Sequence, residues 1–350
     1  MEFTRRTTMA MMGGTAIATA AINGAKAAPS TNPSSSKMKF WAACTTPCDK
    51  NLKVDLGAMR DQIEWYKAHG ADGVTFLGST GEFASFTVAE RKSIMEAVGK
   101  AKGNLNVLCT SGTANIADTI ELSKHAADHG ADGVIVLPPY YVKGPSTEGL
   151  LRYYTMVMDA MPKSLAFYLY HVPRWSTVPV PLDLVKSLKR YTNLAGIKDS
   201  TSDVKGYTDF ITNFPEMNVI TGAYENLEIA LTHGMGGIIQ EAGPYCRELA
   251  DLFAVAHSGK DIHGPYMALQ QKIAGLYGSR DGLDQYGIMQ YAMTVAMGKP
   301  ASYQRPPFTD LTAPRKAAIE KYCAWPAIRI RRNKARHGRC ITLKGRWNLS

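Results

Sequence analysis

The chain has 350 residues, of which 45% are hydrophobic and 20% are charged, a composition typical of a globular protein with a sizeable core. Its net charge of +10 is concentrated at the two ends, because residues 326–350 hold eight Lys and Arg without any acid and residues 1–37 contribute a net +3. Since residues 38–325 therefore carry a net charge of −1, this body offers no basic surface for a phosphate backbone, and we exclude nucleic acid as the main partner.

Residues 1–28 are typical of a twin-arginine export signal. Arg5-Arg6 precedes an uncharged stretch that runs to Gly24, and Ala25-Lys26-Ala27 offers a small-x-small cleavage site. The stretch has too few strongly apolar residues for a transmembrane helix, so we expect no stable membrane insertion. Residues 29–37, rich in Ser and Pro, are predicted to form a flexible stem. We therefore expect a periplasmic protein, or a cytoplasmic one if the leader is only a disordered extension.

Between residues 38 and 244, short β-branched runs alternate with longer amphipathic segments. Eight runs are predicted to be strands: Phe40–Thr45, Gly73–Leu77, Asn106–Thr110, Gly133–Leu137, Leu165–Tyr170, Leu194–Lys198, Asn218–Thr221 and Gly236–Gln240. Amphipathic segments such as Val88–Lys100, Ile116–His129 and Thr147–Ala160 are predicted to be helices. Alternation of strand and helix favours a parallel sheet, and eight such units predict an α/β protein with a (β/α)₈ TIM barrel.

An internal repeat supports the barrel. His69–Val74 recurs 60 residues later as His129–Val134, an interval of two units of about 30 residues, and His233–Ile238 is a looser copy. The glycine after each histidine is expected to end a helix in the left-handed conformation. The histidines are then predicted to interact with the helix dipole, and no metal site is expected from them.

Residues 245–322 are helical in pattern and longer than a last barrel helix requires, which predicts an appended helical bundle. Residues 323–350 are predicted to be a basic, disordered tail without a catalytic role. Cys44 and Cys48 allow a disulfide, a metal pair, or two small apolar residues near the first strand. We favour the third interpretation, because no second pair of Cys or His matches them.

Active sites of such barrels lie at the carboxyl ends of the strands, where Lys198 closes strand six. Burial favours the neutral form of an amine, and lowering its pKa from about 10.4 by about three units corresponds to roughly 4 kcal/mol. A neutral amine can attack a ketone carbonyl to form an imine. The alternative is a lysine held in an ion pair by Asp199 or by another carboxylate of the barrel.

Two more positions follow strand ends. Tyr170 closes strand five, from which a phenol could exchange protons with Lys198, although a core aromatic fits as well. Gly78-Ser79-Thr80-Gly81-Glu82 follows strand two, and its N–H groups and hydroxyls could converge on a carboxylate. Within that run, Glu82 is expected to be a structural anchor.

Residues 38–322 resemble the dihydrodipicolinate synthase / N-acetylneuraminate lyase family of Schiff-base-forming enzymes. The resemblance is carried by four motifs in this order: Gly78–Glu82, Pro138–Tyr141, Tyr170–Pro173 and Gly196–Asp199. It implies a lyase or aldolase that makes or breaks a carbon–carbon bond between pyruvate, or another 2-oxo acid, and an aldehyde-type partner. It also implies that no metal or organic cofactor takes part.

The resemblance assigns roles to individual residues. Lys198 would condense with the 2-oxo acid, Tyr170 would relay protons with the help of the hydroxyl of Ser79 or Thr80, and the Ser79–Thr80 turn would hold the carboxylate. Tyr141 is similar to a tyrosine that crosses between subunits, which implies a homo-oligomer of at least two chains, a dimer or a tetramer. Ile239 would line the pyruvate pocket.

The chain departs from the family pattern after strand five. Where relatives often continue Tyr-Asn-x-Pro-x-Arg, His171 replaces the asparagine, and Trp175 stands at the expected position of the arginine, since Arg174 comes one place early. We expect His171 and Trp175 to contact a second substrate that is bulkier, or aromatic, or lacks a carboxylate there. Two alternatives remain open: a sugar-acid dehydratase that uses the same lysine, and an inactive binding or sensor barrel in the periplasm.

Overall fold

The computed structural model describes residues 38–234, 236–278, 284–299 and 303–323. The predicted export signal, the stem and nearly all of the basic tail lie outside these residues. Eight parallel strands close into a barrel in chain order, with each strand paired to the next and β8 paired to β1. The strands are β1 Lys39–Ala43, β2 Gly73–Phe76, β3 Asn106–Thr110, β4 Gly133–Val136, β5 Ala166–His171, β6 Leu194–Asp199, β7 Asn218–Thr221 and β8 Gly237–Gln240.

Helices surround the barrel and continue beyond its last strand. Those between the strands are α1 Leu56–Ala68, α2 Val88–Ala101, α3 Ile116–Asp128, α4 Thr147–Asp159, α5 Pro173–Ser176, α6 Leu182–Leu188, α7 Val204–Asn213 and α8 Leu227–Thr232. Those after β8 are α9 Cys246–His257, α10 His263–Tyr277, α11 Asp284–Met297 and α12 Ala313–Cys323. The predicted (β/α)₈ barrel with appended C-terminal helices is confirmed. No helix within the described ranges is long and apolar enough to cross a membrane.

Capping residues in the sequence explain where the outer helices begin. Asp55, Asn115 and Ser146 each accept a hydrogen bond from a backbone N–H in the first turn of α1, α3 and α4. Thr87 and Glu90 form a reciprocal capping box at the start of α2. These contacts satisfy N–H groups that the first turn of a helix leaves without a partner.

The repeated histidines end their helices, as the repeat predicts. The Nδ1 atoms of His69, His129 and His233 lie 2.7, 2.8 and 2.9 Å from the carbonyl oxygen four residues earlier. The glycine after each of them has a positive φ, which lets the chain turn back towards the next strand. Each copy of the repeat is therefore a helix-to-strand turn at the amino end of the barrel.

The core has two parts. The larger part fills the space between the strands and the helices, and the smaller part lies inside the barrel, where Trp41, Leu108, Ile135, Tyr170 and Ile239 are packed. Cys44 and Cys48 are both buried thiols, so they form no disulfide with each other. Residues 303–312 are not helical, although the sequence pattern predicts helix through residue 322.

Candidate active site

Two neighbouring strands place an amine beside a phenol. In the parallel pairing of β5 with β6, Tyr170 stands opposite Lys198. Lys198 Nζ donates a hydrogen bond to Tyr170 Oη over 3.3 Å and lies 4.4 Å from the centre of the same ring. Both side chains are buried, with exposed fractions of 6% for Lys198 and 2% for Tyr170. The two groups therefore share one water-poor site at the carboxyl end of the barrel.

The carboxylate of Asp199, the next residue in the chain, does not form an ion pair with the amine of Lys198. Because successive side chains of a strand face opposite sides, the Asp199 carboxylate lies on the other face of β6. There it accepts a hydrogen bond from Thr201 N at 2.9 Å, and burial raises its pKa to about 6. Lys198 has no ion pair with any acid among residues 38–234, 236–278, 284–299 and 303–323. The alternative of an ion-paired structural lysine thus finds no partner in the described part of the chain.

Tyr170 is surrounded by groups that stabilise its phenolate. Burial alone raises the pKa of the phenol. The charge of Lys198 and hydrogen bonds with Ser79, Ser200 and Lys198 outweigh the effect of burial, so that the pKa of Tyr170 lies below its ordinary value. A phenol in this position can accept and return a proton more readily than one in an apolar core.

The turn after β2 brings a hydroxyl to the same phenol. Ser79 O accepts a hydrogen bond from Glu82 N at 2.9 Å, which folds the Gly78–Glu82 run back on itself. Gly81 permits this close packing, since a Cβ there would lie 3.0 Å from Leu77 N. Ser79 is half-buried and hydrogen-bonds with Tyr170, and Thr80 beside it is half-buried as well.

Glu82 fixes this turn to a distant part of the chain. Its side chain is only 5% exposed and accepts a hydrogen bond from Gln304 Nε2 at 2.9 Å. Burial raises the pKa of Glu82 to about 7. Its backbone has a φ of 51°, in the left-handed region that non-glycine residues seldom adopt. These contacts agree with a structural anchor.

Ile239 lies in the same interior cluster as Tyr170. Its side chain in β8 is 1% exposed and packs among the apolar residues inside the barrel. The structure therefore brings together Ser79, Tyr170, Lys198 and the apolar wall that contains Ile239.

The remaining predicted site residues lie elsewhere within a single chain. Tyr141 is 82% exposed in the loop between β4 and α4. His171 follows Tyr170 in β5 and so faces away from the barrel interior, where its Nδ1 accepts a hydrogen bond from Val180 N at 3.0 Å. Burial lowers the pKa of His171 to about 4, so the ring is neutral at pH 7.

Trp175 lies on the short helix α5 and is 42% exposed. The Arg174 guanidinium stands 5.1 Å from the centre of the Trp175 ring, and the ring of Tyr286 is 6.2 Å away. Phe308 packs on the other side of Tyr286 at 4.9 Å. Trp175 thus belongs to an aromatic cluster to which α11 and the segment before α12 contribute.

Three residues of this region were not predicted from the sequence. A Cβ at Gly222 would lie 2.0 Å from Ser200 Oγ and 3.1 Å from Lys198 Cε, so the absence of a side chain there makes room for both. Ser200 hydrogen-bonds with Tyr170. Gly222 and Ser200 each come directly after the last residue of a strand, and this position in the sequence could have identified them as site residues. Tyr286 carries no such signal, because α11 comes long after the strands.

Comparison with known proteins places the chain among related sequences. A model of the dihydrodipicolinate synthetase family matches residues 37–324. The chain is 31% identical over 282 residues to an uncharacterized DapA-like lyase of Chloroflexus aurantiacus, a match that covers 79% of this chain and 93% of the relative. It is 28% identical over 288 residues to a 4-hydroxy-tetrahydrodipicolinate synthase of Bradyrhizobium diazoefficiens, covering 81% of this chain and 95% of that protein.

Solved structures share the architecture. YagE, a prophage protein of the dihydrodipicolinic acid synthase family from E. coli K12 in complex with pyruvate, matches with a TM-score of 0.74 and 28% identity, over 81% of this chain and 96% of that one. The sialic acid aldolase of Ruminococcus gnavus matches with a TM-score of 0.76 over 82% of this chain and 96% of its own. At 21% identity, the second likeness supports the fold alone.

Proposed function

The chain belongs to the dihydrodipicolinate synthetase family, and on that basis we propose that it is a class I, Schiff-base-forming lyase that joins or separates pyruvate, or another 2-oxo acid, and an aldehyde-type partner. The observation that carries the proposal is the buried pair of Lys198 Nζ and Tyr170 Oη, 3.3 Å apart. Amine and phenol at this separation are the two groups that imine formation requires.

In the first step, the Lys198 ammonium gives a proton to the Tyr170 phenolate, and the resulting neutral amine attacks C2 of the 2-oxo acid and forms a carbon–nitrogen bond. The Tyr170 phenol gives its proton to the carbonyl oxygen and then passes on a second proton from the attacking nitrogen, so that the oxygen leaves as water. The Ser79 hydroxyl, hydrogen-bonded to the same phenol, extends this relay. The product is a protonated imine on Lys198.

The imine then accepts electrons from the adjacent carbon. Loss of a proton from C3 to the Tyr170 phenolate gives an enamine. Its C3 attacks the carbonyl carbon of the aldehyde and forms the new carbon–carbon bond, while the Tyr170 phenol returns the proton to the aldehyde oxygen. Cleavage is the same sequence in reverse. Water finally adds to C2 and releases the amine of Lys198.

The turn after β2 would hold the 2-oxo acid. Ser79 and Thr80 are half-buried at the carboxyl end of the barrel, where backbone N–H groups and hydroxyls can hydrogen-bond with a carboxylate. Ile239 would contact the apolar end of the substrate from β8, which is separated from β2 by β1 alone.

The second substrate would meet the cluster around Trp175. With Trp175 exposed between Arg174 and Tyr286, this side of the mouth favours a bulky or aromatic aldehyde, or one without a carboxylate at that place. Trp175→Arg should shift the ratio of kcat/KM values towards carboxylated aldehydes. Unchanged selectivity between carboxylated and aromatic aldehydes would contradict this assignment.

Borohydride reduction in the presence of pyruvate tests the central proposal. Reduction should leave pyruvate attached to the peptide that contains Lys198, as read by mass spectrometry. Lys198→Ala should abolish the adduct, whereas Lys205→Ala, which changes an exposed lysine paired with Asp209, should keep it. Pyruvate binding without any adduct would instead favour the binding or sensor barrel.

Product analysis separates the lyase from the sugar-acid dehydratase. With a panel of aldehydes and sugar acids, the lyase releases or consumes pyruvate, whereas the dehydratase releases only water from the sugar acid. An adduct on Lys198 together with loss of water alone would overturn the carbon–carbon lyase and retain the Schiff base.

Residues 1–28 would direct the folded protein to the periplasm. The support is the twin arginine with its uncharged stretch and small-x-small site. A reporter fused after residue 37 should be exported, and the double change Arg5→Lys and Arg6→Lys should retain it in the cytoplasm. Export that survives this change would contradict the twin-arginine assignment.

A further inference from the structure

Two histidines and one carboxylate meet in the outer helix layer. Glu96 lies on α2, His125 on the last turns of α3, and His129 directly after α3, and one ligand atom of each lies within 4.8 Å of the others. His125 Nε2 is 3.2 Å from Glu96 Oε1, and the two imidazole rings stack with their centres 4.0 Å apart. All three side chains are half-buried.

Local sequence explains why the three groups meet. His125 and His129 are four residues apart and so share one face of the helix end. Gly99, one turn after Glu96, lets α3 approach α2 closely, since a Cβ there would lie 1.9 Å from His129 O. The carboxylate of Glu96 is thereby brought against the histidine face.

The backbone orients the His129 ring in the way metal-ligating histidines are usually oriented. His129 Nδ1 is 2.8 Å from the backbone carbonyl oxygen of His125. Because a carbonyl oxygen can only accept a hydrogen bond, Nδ1 carries the proton, and Nε2 of the neutral ring keeps its lone pair. The Nε2 atom of His125 is buried without a hydrogen bond and lies 3.2 Å from Glu96 Oε1. A hydrogen bond from the non-ligating nitrogen to a carbonyl is the common support of a metal-bound imidazole.

The contact between His125 Nε2 and Glu96 Oε1 is close but does not have hydrogen-bond geometry. A tetrahedral ion bound to both atoms at about 2.0–2.2 Å would hold them roughly 3.3–3.6 Å apart, slightly more than the 3.2 Å observed. The nearby Lys92 ammonium is paired with Glu121, which offsets its charge.

We propose that Glu96, His125 and His129 form a binding site for one divalent transition-metal ion of the Zn²⁺ type, with the fourth position open to water. Two imidazoles and one carboxylate suit this class of ion. The sequence alone predicted only a helix-terminal role for His129, and its Nδ1 fulfils that role while Nε2 remains available.

The site is remote from Lys198. Helices of the barrel run opposite to the strands, so the end of α3 lies at the amino ends of the strands, on the face opposite to the candidate active site. The ion would link α2 to α3 and stabilise the folded chain without taking part in imine chemistry.

The chain supplies its own control. His69 and His233 make the same Nδ1 contact with the carbonyl four residues earlier, at 2.7 and 2.9 Å. Within the described residues, neither of them belongs to a group of three potential ligands. Substitution at His69 therefore removes the helix-terminal contact without removing a proposed ligand.

The full chain, stripped of metal by chelator and dialysis, should bind one Zn²⁺ from ZnCl₂ in calorimetric titration, with a rise of several degrees in Tm. His125→Gln and His129→Gln should each weaken binding by more than about 100-fold. Loss of a group that only orients a ligand already lowers metal affinity by about 10- to 100-fold, and these two changes remove a ligand itself. Glu96→Gln should weaken it too, and His69→Gln should leave it unchanged.

Titration with CoCl₂ identifies the ligand atoms by absorption. Nitrogen and oxygen ligands give only weak visible bands, whereas an intense near-ultraviolet band would indicate cysteine ligation elsewhere. Absence of a stoichiometric site, wild-type affinity in His129→Gln, or cysteine ligation would each overturn the proposal. Borohydride trapping of pyruvate on Lys198 should remain normal in every variant, so the outcome is independent of the proposed catalytic function.

Discussion

Tyr170 can be tested as a proton relay separately from its role in packing. Tyr170→Phe removes only the hydroxyl 3.3 Å from Lys198 Nζ and keeps the ring in the interior cluster. We expect kcat to fall by about 10²- to 10⁴-fold, the usual worth of a positioned acid–base group, with little change in Tm. Steady-state kinetics and thermal unfolding measure the two effects.

Tyr168→Phe is the matched control for that substitution. Tyr168 lies two residues earlier in the same strand, is buried in the same cluster, and hydrogen-bonds with Asn218 Nδ2 at 3.3 Å. Its hydroxyl does not contact Lys198, so kcat should change little. Equal losses from the two substitutions would show that Tyr170 acts through packing.

Gly222 is expected to matter because of what lies beside it. In Gly222→Ala the new Cβ would lie 2.0 Å from Ser200 Oγ and 3.1 Å from Lys198 Cε, so the Ser200 hydroxyl must move away and the lysine must shift slightly. A displacement of about 1 Å at a reacting group can cost about 100-fold in rate, and for this smaller shift we expect a smaller loss in kcat/KM. Gly264→Ala, at an open position of α10, should leave kcat/KM unchanged.

Glu82 makes stability depend on pH in a defined direction. Its pKa is raised from 4.5 to about 7, so the folded chain binds this proton more tightly than the unfolded chain does. The protonated Glu82 side chain makes its full contribution to the free energy of unfolding below about pH 4.5. This contribution, about 3 kcal/mol, is lost as pH rises through about 7.

Glu82→Gln should therefore have a free energy of unfolding similar to wild type at pH 5 and a higher one at pH 8. Urea denaturation at both pH values measures the difference. Glu64→Gln, which changes an exposed carboxyl, should show no such divergence. A pH-independent difference between Glu82→Gln and wild type would contradict the burial argument.

At the scale of elements, the turn after β2 is held by the segment before α12. Arg305 donates to both carboxylate oxygens of Glu90, to Ser85 O at 2.8 Å and to Leu52 O at 2.9 Å. These contacts lower the pKa of Glu90 to about 2. Together with the bond from Gln304 to Glu82, they join residues 303–308 to the loop that carries Ser79.

Arg305→Ala should reduce the free energy of unfolding by about 2 kcal/mol, because a partly buried bidentate pair is lost. It should also raise KM for pyruvate, since the turn with Ser79 and Thr80 loses its support. Arg305→Lys keeps the charge without the planar fork and should fall between wild type and Arg305→Ala. Arg190→Ala, at an exposed arginine bonded to Thr155, should change neither quantity.

At the level of the whole molecule, we expect Tyr141 to act in the active site of a second subunit. An 82% exposed tyrosine beside Val142, itself 61% exposed, is an apolar surface that a partner chain would cover. We expect Lys198→Ala and Tyr141→Phe each to lose most activity. Unfolding and refolding the two variants together should then restore about a quarter of wild-type activity, since half of the mixed dimers' sites are intact.

The rescue depends on the two residues coming from different chains. If Tyr141 served the site of its own chain, every site in the mixture would carry one substitution and activity would stay low. Mixing Lys198→Ala with Tyr170→Phe is the control that should show no rescue, because both side chains come from the same strand pair.

Local sequence patterns were sufficient to locate the barrel and the strand ends that form its candidate active site. Alternating apolar runs and helix caps are local, so all eight strands were located to within about two residues, and the 60-residue repeat gave the unit length. Because parallel strands end at one face, the positions of Lys198, Tyr170 and Ser79 at or after strand ends predicted that they lie together. The distance between amine and phenol followed from strand pairing.

Contacts between segments far apart in the chain became apparent only from the three-dimensional fold. Gln304 reaches Glu82 and Tyr286 reaches Trp175 because helices after the barrel fold back over its mouth, and no local periodicity encodes that path. The meeting of Glu96 with His125 likewise depends on how closely α2 and α3 pack. Side-chain patterns specify which face of an element is buried, whereas the identity of the neighbour on that face is set by the packing of the complete chain.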